Sequence, residues 1–505
     1  MKKRSFYNIA FGIGSQLLSI ALGIIIPRLF LTSFGSEVNG FLNSINQIFA
    51  YFALLEAGVG AASLQALYGP VGKGDKESTS EILSATNKYY NKTGIFYFLA
   101  VFGLAIVYPI VIKSEMNPLV MAVIILMNGL PGAISYLFQG KYLILLQAEG
   151  KNYVNTIALT VVNTTVNITK IVMLLMGCNI IAIQAAYLVL NLLKVLYFWW
   201  YFRKNYRWVN LKAKPAFEAI GQKNAAFVNQ ICDLIFRNTD TIILSLFCDL
   251  KVVSVYAMYT LLFSMIRTAM DYVAQGFSFV MGQTFNNDRK KYIKLHDLYQ
   301  SYRLALIFAL YNIAFIFILP FMKLYTAGVT DINYIDYKVA VLFIVFYLLT
   351  GARVCEAELI NYAQHFKLTQ TRCIIEAVIN ITVSIVCVNL WGIYGVLIGT
   401  IVALLYRTND MIIYANRRIL GRSPWVTYKK VISNALVFVA ISYVSSLINW
   451  NLDSYLAIIM WAIVSAVVIM AVYFAVASIV DVASFKYLVS YLKGFINTKF
   501  KKKKA

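Results

Sequence analysis

Long apolar segments alternate with short polar ones along almost the whole chain. A helix needs about 20 apolar residues to cross the hydrocarbon core of a bilayer, and the sequence contains fourteen apolar runs of roughly this length or more. Their approximate limits are 7–32, 38–68, 93–113, 117–147, 153–178, 180–202, 225–248, 252–285, 303–326, 337–364, 368–391, 393–415, 431–449 and 455–480. Because the polar connections are short, consecutive helices are expected to be antiparallel neighbours. The pattern predicts an all-α integral membrane protein with about 14 transmembrane helices.

The composition agrees with a membrane protein and argues against several other classes. Of the 505 residues, 60% are hydrophobic and only 13% are charged, whereas about 25% of a soluble domain is charged. The six cysteines form no C-x-x-C pair, and there are only two histidines. Neither a disulfide framework nor a metal site is therefore predicted. The sequence contains no P-loop, so we expect no cofactor and no direct use of ATP.

The basic residues are distributed unevenly between the two sides of the predicted bundle. Of 45 lysines and arginines, 33 lie in the N-terminus, the even-to-odd connections and the C-terminal tail, against 4 in the opposite connections. The positive-inside rule therefore places both termini in the cytoplasm. The net charge of +23 follows mostly from this bias and does not indicate nucleic-acid binding. The other eight lie within apolar segments: Arg28, Lys141, Lys170, Lys194, Arg237, Arg267, Arg353 and Arg407.

The chain repeats itself at an offset of about 215 residues. Matching positions include Glu56 with Asp271, Pro109 with Pro320, and residues 163–168 with residues 380–385. Because both copies begin on the same side of the membrane, the repeat is parallel. We predict a six-helix N-lobe at 1–202, a cytoplasmic linker at 203–224, a six-helix C-lobe at 225–415, two further helices at 416–480 and a basic amphipathic tail at 481–505.

The C-terminal tail has an amphipathic pattern. Apolar residues recur in it at helical spacing, namely Val482, Phe485, Val489, Leu492 and Ile496. A helix with such a face and lysines beside it is expected to lie in the plane of the inner leaflet. The lysine run at 501–504 is expected to contact anionic lipid.

Charged residues occur inside the seventh and eighth apolar segments. Asp233, Arg237 and Asp240 follow i, i+4, i+7 spacing, and Arg267 and Asp271 follow i, i+4 spacing. Each set therefore shares one helix face. Ionised side chains at membrane depth cost about 2.5 kcal/mol or more each, and they usually face a bundle interior or a watery cavity. Two interpretations are open: a polar lining of a transport pathway, or an ion-pair network that only holds helices together.

The first apolar segment contains a proline followed directly by an arginine. Pro27 removes one helix hydrogen bond and is expected to kink the segment. Arg28 lies near the predicted outer end. The arginine either lines a central cavity or extends to the outer membrane surface along its aliphatic stem.

The fifth apolar segment carries a polar stripe. Asn163, Asn167 and Lys170 lie at i, i+4, i+7. The equivalent segment of the second repeat carries Glu376, Asn380 and Ser384. Stripes of this kind either join neighbouring helices by hydrogen bonds or contact a ligand.

These features together resemble a known family. A first segment ending in Pro27-Arg28, then residues 31–35 with the sequence Leu-Thr-Ser-Phe-Gly, an asparagine-striped fifth segment and a 6+6+2 arrangement are similar to bacterial polysaccharide flippases. These are the O-antigen and capsule translocases of the multidrug/oligosaccharidyl-lipid/polysaccharide exporter (MOP) superfamily. The resemblance covers essentially the whole chain. It implies a V-shaped, MATE-like bundle with the first, second, seventh and eighth helices around a central cavity.

The resemblance also implies a function and a set of site residues. Members flip undecaprenyl-pyrophosphate-linked oligosaccharide across the bacterial inner membrane by alternating access. Substrate-binding cations would be Arg28, Arg237, Arg267 and, as a looser match, Arg353. Ion-coupling or counter-charge residues would be Glu56, Asp233, Asp240 and Asp271. The first segment lacks the carboxylate of the superfamily's drug exporters, which weakens transfer of their proton-coupling scheme to this chain.

Three functions remain in competition at this point. The leading hypothesis is a lipid-linked oligosaccharide flippase, which is not an enzyme, whose partners are its substrate and membrane lipid. Contact with other polysaccharide assembly proteins stays open. The first alternative is a cation-coupled exporter of small organic molecules on the same fold. The second is a membrane polysaccharide polymerase or ligase, which would need a sizeable outer domain, whereas the longest outer connection here runs from about 326 to 336.

Overall fold

The computed structural model describes the backbone of residues 2–56, 59–220, 224–448, 450, 452–490 and 493, and those residues contain α-helices but no β-strand. The helices are α1 Lys2–Phe52, α2 Val59–Lys73, α3 Lys76–Val111, α4 Pro118–Phe138, α5 Gly140–Ala148, α6 Asn152–Leu175, α7 Ile180–Asn205, α8 Asn224–Phe247, α9 Leu250–Asn287, α10 Arg289–Tyr325, α11 Tyr337–Ala352, α12 Val354–Tyr362, α13 Phe366–Trp391, α14 Ile393–Tyr414, α15 Trp425–Ser446 and α16 Tyr455–Val480. Short 3₁₀ turns at Ala53–Leu55 and Phe217–Ile220 and a π-helical turn at Ala415–Leu420 complete the helical structure.

Ten helical stretches within the described residues are long and apolar enough to cross a membrane. They are α3, α4, α6, α7, α9, α10, α13 and α16, together with Tyr337–Tyr362 and Ile393–Leu420. This confirms an all-α, multi-pass membrane protein. Each of the fourteen predicted segments overlaps one or two of these helices, and the first two share α1. The number of helices that cross the membrane stays a prediction.

Side-chain caps fix where many helices begin. The N-terminal backbone N–H groups of a helix have no partner within the helix, and a short polar side chain just before it accepts from them. Asp75 does so for α3, accepting from the N–H groups of Glu77 and Ser78 at 3.1 and 3.0 Å. Equivalent caps at the starts of α4, α7, α10, α11 and α16 are Asn117, Asn179, Asp288, Asp336 and Ser454.

The first predicted segment and the first part of the second lie in one long helix, α1, which breaks at Gly35. Gly35 has φ 79° and ψ 179° inside α1, a left-handed conformation that a residue with a Cβ rarely adopts. The N–H of Ser36, which the break releases, donates to Asp331 Oδ2 at 2.8 Å, and the Ser36 hydroxyl donates to Asp331 Oδ1 at 2.6 Å. Asp331 therefore caps the second half of α1.

The chain divides into two compact units. Unit 1 comprises residues 1–255 with 328–332, and unit 2 comprises 256–327 with 333–505. Contacts, rather than the sequence repeat, define these units, and α8 belongs to the first of them. The predicted lobes at 1–202 and 225–415 rest on the repeat and stay a prediction.

Close helix approaches hold unit 1 together. The core where α1 meets α3 and α4 includes Phe41 and Tyr108, whose ring centroids lie 5.7 Å apart. Asn39 Nδ2 donates to Ser254 Oγ at 2.6 Å, and both side chains are buried. The two residues are 215 residues apart, which is the offset of the predicted repeat. A Cβ on Gly40 would overlap the carbonyl group of Leu250.

Unit 2 is built around α10 and around the α13–α14 pair. Asn312 in α10 donates to the Phe438 carbonyl of α15 at 2.9 Å, and Tyr473 of α16 is fully buried against the same helix group. A Cβ on Gly399 of α14 would lie 2.6 Å from the backbone nitrogen of Ser384 in α13. Small residues of this kind let membrane helices approach closely, which gives packing that lipid cannot replace.

The described part of the tail is helical. Residues 482–490 continue as a helix after α16, and Val482 and Phe485 are 48% and 42% exposed, so the apolar side of the predicted amphipathic helix is accessible. Leu492, Ile496 and the lysine run at 501–504 lie outside the described residues. Residues 221–223 of the predicted linker also lie outside them.

Candidate functional site

The charged face of α8 contains an accessible ion pair. Arg237 Nε donates to Asp233 Oδ2 at 2.7 Å. The two side chains are 47% and 54% exposed, so a solvent-borne or lipid-borne group can reach them. Asp240, one turn further along, is only 2% exposed. The sequence placed all three on one face, and the structure separates them into an open pair and a buried carboxylate.

Unit 1 also contains Arg28 and the contact between α1 and α8. Tyr51 of α1 and Thr239 of α8 share a hydrogen bond of 2.6 Å between their hydroxyl groups, which fixes α1 against α8. Arg28 lies partly buried in α1, directly after Pro27. Its position in the same unit as Arg237 is a fact of the structure, and its contact with a substrate stays a prediction.

In unit 2, Arg267 and Asp271 line a small cavity. Arg267 Nε lies 3.8 Å from Asp271 Oδ2, and the side chains are 27% and 51% exposed. The cavity of about 30 Å³ is also lined by Arg303, Tyr311 and Tyr347. This volume holds one or two water molecules. The arrangement gives unit 2 a small pocket lined by side chains of both charges within its helices.

Arg303 is a site residue that the sequence interpretation missed. The predicted apolar segment begins only at 303, whereas α10 begins at Arg289, so Arg303 lies well inside a helix. Its Nη1 donates to Glu358 Oε1 at 2.5 Å and also to the Tyr299 hydroxyl, and its side chain is 4% exposed. The cap at Asp288 was the available signal, because a helix starting there continues through Arg303.

Arg353 belongs to a buried ion network. It donates to Glu376, which also lies 3.4 Å from Arg407 Nε. Arg407 Nη1 in turn lies 2.7 Å from Asp410 Oδ2, and Asp410 also accepts from Arg372. Breaking a buried pair by removing one partner typically costs about 3–5 kcal/mol. The geometry therefore supports a structural role for Arg353 more than a substrate contact, which stays a weaker prediction.

The repeat-equivalent carboxylates Glu56 and Asp271 have different neighbours. Glu56 accepts a hydrogen bond from the Tyr90 hydroxyl, and a Cβ on Gly60 would lie 2.9 Å from its Oε1. Asp271 instead faces Arg267. Sequence equivalence therefore does not carry chemical equivalence here, and a shared coupling role for the two carboxylates stays a prediction.

An ion cluster outside the apolar segments ties α10, α15 and the tail together. Arg422 Nη1 contacts both carboxylate oxygens of Asp297 at 2.6 and 2.7 Å, and Lys430 Nζ lies 3.0 Å from Asp481 Oδ2. Burial raises the pKa of the Asp481 carboxyl, but the charge of Lys430 and hydrogen bonds from Ser484 and Ser301 lower it to about 2. This cluster holds α10, α15 and the start of the tail together.

Solved structures share this fold. No protein-family model matches the chain, and no curated protein sequence matches it. An inward-facing multidrug resistance MATE family transporter of the MOP superfamily superposes with a TM-score of 0.66 at 14% identity, covering 80% of this chain and 95% of that one. A MATE structure in a bent conformation gives 0.51 at 14% identity, covering 85% and 97%.

The likeness to one flippase extends over nearly the whole chain. The structure described as lipid II flippase MurJ, inward closed conformation, gives a TM-score of 0.71 at 15% identity, covering 94% of this chain and 99% of that one. At such identities the likeness shows the fold. The predicted all-α, MATE-like membrane fold is therefore confirmed.

Proposed function

We propose that this protein is a flippase that moves undecaprenyl-pyrophosphate-linked oligosaccharide across the bacterial inner membrane for cell-surface polysaccharide synthesis. The observation that carries the proposal is the likeness to the MurJ structure over 94% of the chain. That protein's name assigns it a lipid-linked substrate. The presence of arginines among apolar helices supports the same chemistry, because an unpaired anion in a low-dielectric region is very costly.

The accessible arginines supply the substrate contacts in this proposal. Arg237 and Arg267 would bind the pyrophosphate through charge-assisted hydrogen bonds, with the planar guanidinium able to contact two oxygens at once. Asp233, at 2.7 Å, and Asp271, at 3.8 Å, would hold these arginines when no substrate is present. Arg28 is the third proposed contact. Arg353 is the weakest candidate, because its guanidinium already forms an ion pair with Glu376.

Alternating access is the proposed mechanism, with both termini in the cytoplasm. In this scheme the polyprenyl tail stays in lipid while the charged headgroup crosses between the lobes. Glu56 and Asp240 are proposed as further counter-charge or proton-coupling residues, because the apolar segments that contain them hold few other carboxylates. Membrane lipid and, as an open extension, other polysaccharide assembly proteins would be its partners.

A deletion strain tests the proposal. Lipid extracts of the deletion strain should accumulate undecaprenyl-pyrophosphate-linked oligosaccharide, and an impermeant lectin should fail to bind that glycan on intact spheroplasts. Rupturing the spheroplasts should restore lectin binding. Normal lectin binding on intact spheroplasts of the deletion strain would show that another protein carries the lipid outward and would contradict the proposal.

A second candidate is an exporter of small organic cations. The MATE likeness at a TM-score of 0.66 favours it, as do the half-exposed carboxylates Asp233 and Asp271. This function predicts greater sensitivity of the deletion strain to cationic dyes with no change in lipid-linked glycan. The polymerase or ligase alternative has less support, because the solved structures with this fold are transporters and flippases.

A further inference from the structure

The two units treat their membrane-embedded cations differently. Five arginines of unit 2 that lie within its helical stretches are each paired with a carboxylate: Arg267 with Asp271, Arg303 with Glu358, Arg353 with Glu376, and Arg372 and Arg407 with Asp410. Within the described part of unit 1, the lysines Lys141, Lys170 and Lys194 pair with no carboxylate. Lys141 Nζ donates to Asn87 Oδ1 at 2.6 Å and to the Leu137 carbonyl at 3.2 Å.

Among the described residues, Lys170 is contacted by aromatic rings and by no hydrogen-bond partner. Its Nζ lies 4.7 Å from the ring centroid of Tyr187 in α7 and 5.8 Å from that of Phe30 in α1. A cation over an aromatic face is stabilised by the ring's electrons, but its charge is not neutralised. A charge left in this state at membrane depth is rare without a function. Lys170 therefore offers a positive charge that no neighbouring carboxylate in the described residues cancels.

The face of α6 that carries Lys170 does not point to lipid. The exposed apolar residues of this helix form one stripe, consisting of Val161, Ile168, Val172 and Leu175. At about 100° per residue, Asn163, Asn167 and Lys170 lie roughly half a turn from that stripe. Asn163 is itself exposed, so α6 has two accessible faces. One is apolar and suits lipid, and the other carries the polar stripe.

Helix α7, which packs beside α6, also carries polar residues on one side and exposed apolar residues on the other. Tyr187, Asn191 and Lys194 follow i, i+4, i+7 spacing, and Lys194 Nζ lies 3.4 Å from Asn191 Oδ1. The exposed apolar residues lie on the opposite side of the helix, at Val189, Leu193, Leu196 and Trp200. The short connection between α6 and α7 makes them antiparallel. Since Lys170 meets Tyr187, Lys194 lies roughly 10 Å further along, level with Asn163.

The equivalent stripe of unit 2 is closed by hydrogen bonds. Asn380 Nδ2 donates to Thr400 Oγ1 at 2.9 Å, and Ser384 Oγ donates to the Val396 carbonyl at 3.3 Å. In unit 1, neither Asn163 nor Asn167 makes a hydrogen bond within the described part of the chain. The stripe of α13 therefore joins helices, whereas the matching stripe of α6 keeps its polar groups available.

We propose that the polar faces of α6 and α7, with Lys170 and Lys194 as the principal cations, form a binding site for a diphosphate group. The proposal rests on the proposed function and adds a second anion-binding place in unit 1, besides the contacts proposed for Arg28 and Arg237. Lysine ammonium groups on flexible stems reach separate phosphate oxygens as point charges. The asparagine amides donate further hydrogen bonds. The phosphate of a membrane phospholipid shares this chemistry and is the competing source.

Binding measurements on the purified full-length protein test the site. The probes are farnesyl diphosphate, inorganic diphosphate and farnesol, measured by calorimetry in detergent. Lys170→Gln and Lys194→Gln should each weaken farnesyl diphosphate binding about tenfold or more, since a charge-assisted contact contributes about 1.5–3 kcal/mol. Farnesol should bind no better to the wild type than to either variant. Lys141→Gln is the matched control, with affinity expected within about twofold of wild type.

Charge-retaining variants separate binding from folding. Lys170→Arg and Lys194→Arg should keep most of the affinity. The Tm of each variant is measured as well, and affinities are compared only among variants whose Tm equals that of the wild type. Unchanged affinity in both glutamine variants would overturn the site while leaving the flippase proposal to its own cellular test. A wild type that binds neither diphosphate probe would overturn it too. Dioleoyl phosphatidylglycerol competing as strongly as farnesyl diphosphate would assign the lysines to membrane phospholipid and overturn the substrate assignment.

Discussion

Exposure separates the ion pairs of this protein into two kinds at the residue scale. Arg237 and Asp233 are about half exposed, whereas Arg407 is 2% exposed beside Glu376 at 8%. An exposed pair contributes about 0–1 kcal/mol to stability, so exchanging Asp233 for a ligand anion is energetically easy. The buried pair has no such freedom, because separating it leaves a charge in a low-dielectric interior.

Replacing Arg237 tests its role in substrate binding. Arg237→Gln should abolish surface polysaccharide while leaving protein abundance in the membrane unchanged, because the exposed pair adds little to stability. Arg237→Lys should restore part of the export, since it keeps the charge but loses the two-pronged contact. Arg353→Gln, a matched change in the buried network, should instead lower protein abundance. Quantitative immunoblots and surface glycan staining measure both effects.

The double variant Asp233→Asn with Arg237→Gln distinguishes a role in substrate binding from a structural role for the pair. If Arg237 serves the substrate, the double variant should export no more polysaccharide than Arg237→Gln alone. Recovery of export in the double variant would show that the pair is structural. The assignment of Arg237 to the substrate would then be withdrawn.

The carboxylate of Asp481 should give a pH-dependent contribution to stability. Its pKa is about 2 in the folded protein and about 3.9 in an unfolded chain. A lowered carboxyl pKa stabilises the fold above about pH 4 and ceases to do so as the pH falls towards 2. Asp481→Asn should therefore lower the Tm by a few degrees at pH 7, with a gap that narrows below pH 4. An equal gap at pH 7 and pH 3 would contradict the assignment.

At the element scale, close approach between α13 and α14 depends on glycine. Gly399→Ala should destabilise the purified protein by about 1–3 kcal/mol, because the added Cβ meets the Ser384 backbone. Gly103→Ala is the control, since no atom lies within 4 Å of a Cβ built there. That change should leave the Tm unchanged or raise it slightly. Thermal unfolding in detergent distinguishes the two, and equal Tm values for both variants would refute the packing argument.

Hydropathy predicted the helices well and their ends less well. The predicted segments 180–202 and 455–480 correspond closely to α7 and α16, because an apolar run must be helical to satisfy its backbone in lipid. Helix α10, however, begins at Arg289, well before the predicted segment starts at 303. Hydropathy marks where apolar residues begin, whereas the cap at Asp288 decides where the helix begins.

The sequence predicted the local contacts of the candidate site but not those between distant helices. The pair of Arg237 with Asp233 is local, at i, i+4, and helical periodicity is enough to predict it. The pair of Arg303 with Glu358 joins α10 to α12, and no local pattern specifies such a partner. The contrast between the stripes of α6 and α13 also depends on packing. Equivalent sequences there give one open and one hydrogen-bonded helix face.

At the scale of the whole molecule, the bias of basic residues predicts the orientation. Single cysteines are to be introduced at the exposed positions Asn333 and Ser423 in a chain whose native cysteines have been replaced. An impermeant thiol reagent should label Asn333→Cys in intact cells and leave Ser423→Cys unlabelled. Labelling of Ser423→Cys from outside would invert the orientation of the second half of the chain.

Charge is also partitioned between the two units. Unit 2 neutralises its embedded arginines internally, and unit 1 leaves Lys170 and Lys194 without carboxylate partners in the described residues. In the proposed mechanism, the lobes move around a substrate held near the membrane midplane. The lysines of unit 1 that lack carboxylate partners among the described residues suit the proposed anionic headgroup better than a cationic drug.

Reconstituted vesicles provide the most direct test of the flippase claim. Proteoliposomes containing the purified protein and a fluorescent, short-chain polyprenyl-diphosphate-linked oligosaccharide would be treated with an impermeant quencher. Wild-type protein should move the lipid between leaflets and make more than half of it accessible to the quencher over time, while Arg237→Gln should slow this at least about tenfold, as expected for loss of a charge-assisted contact. A wild-type rate equal to that of protein-free vesicles, with imposed proton and sodium gradients present, would contradict the account.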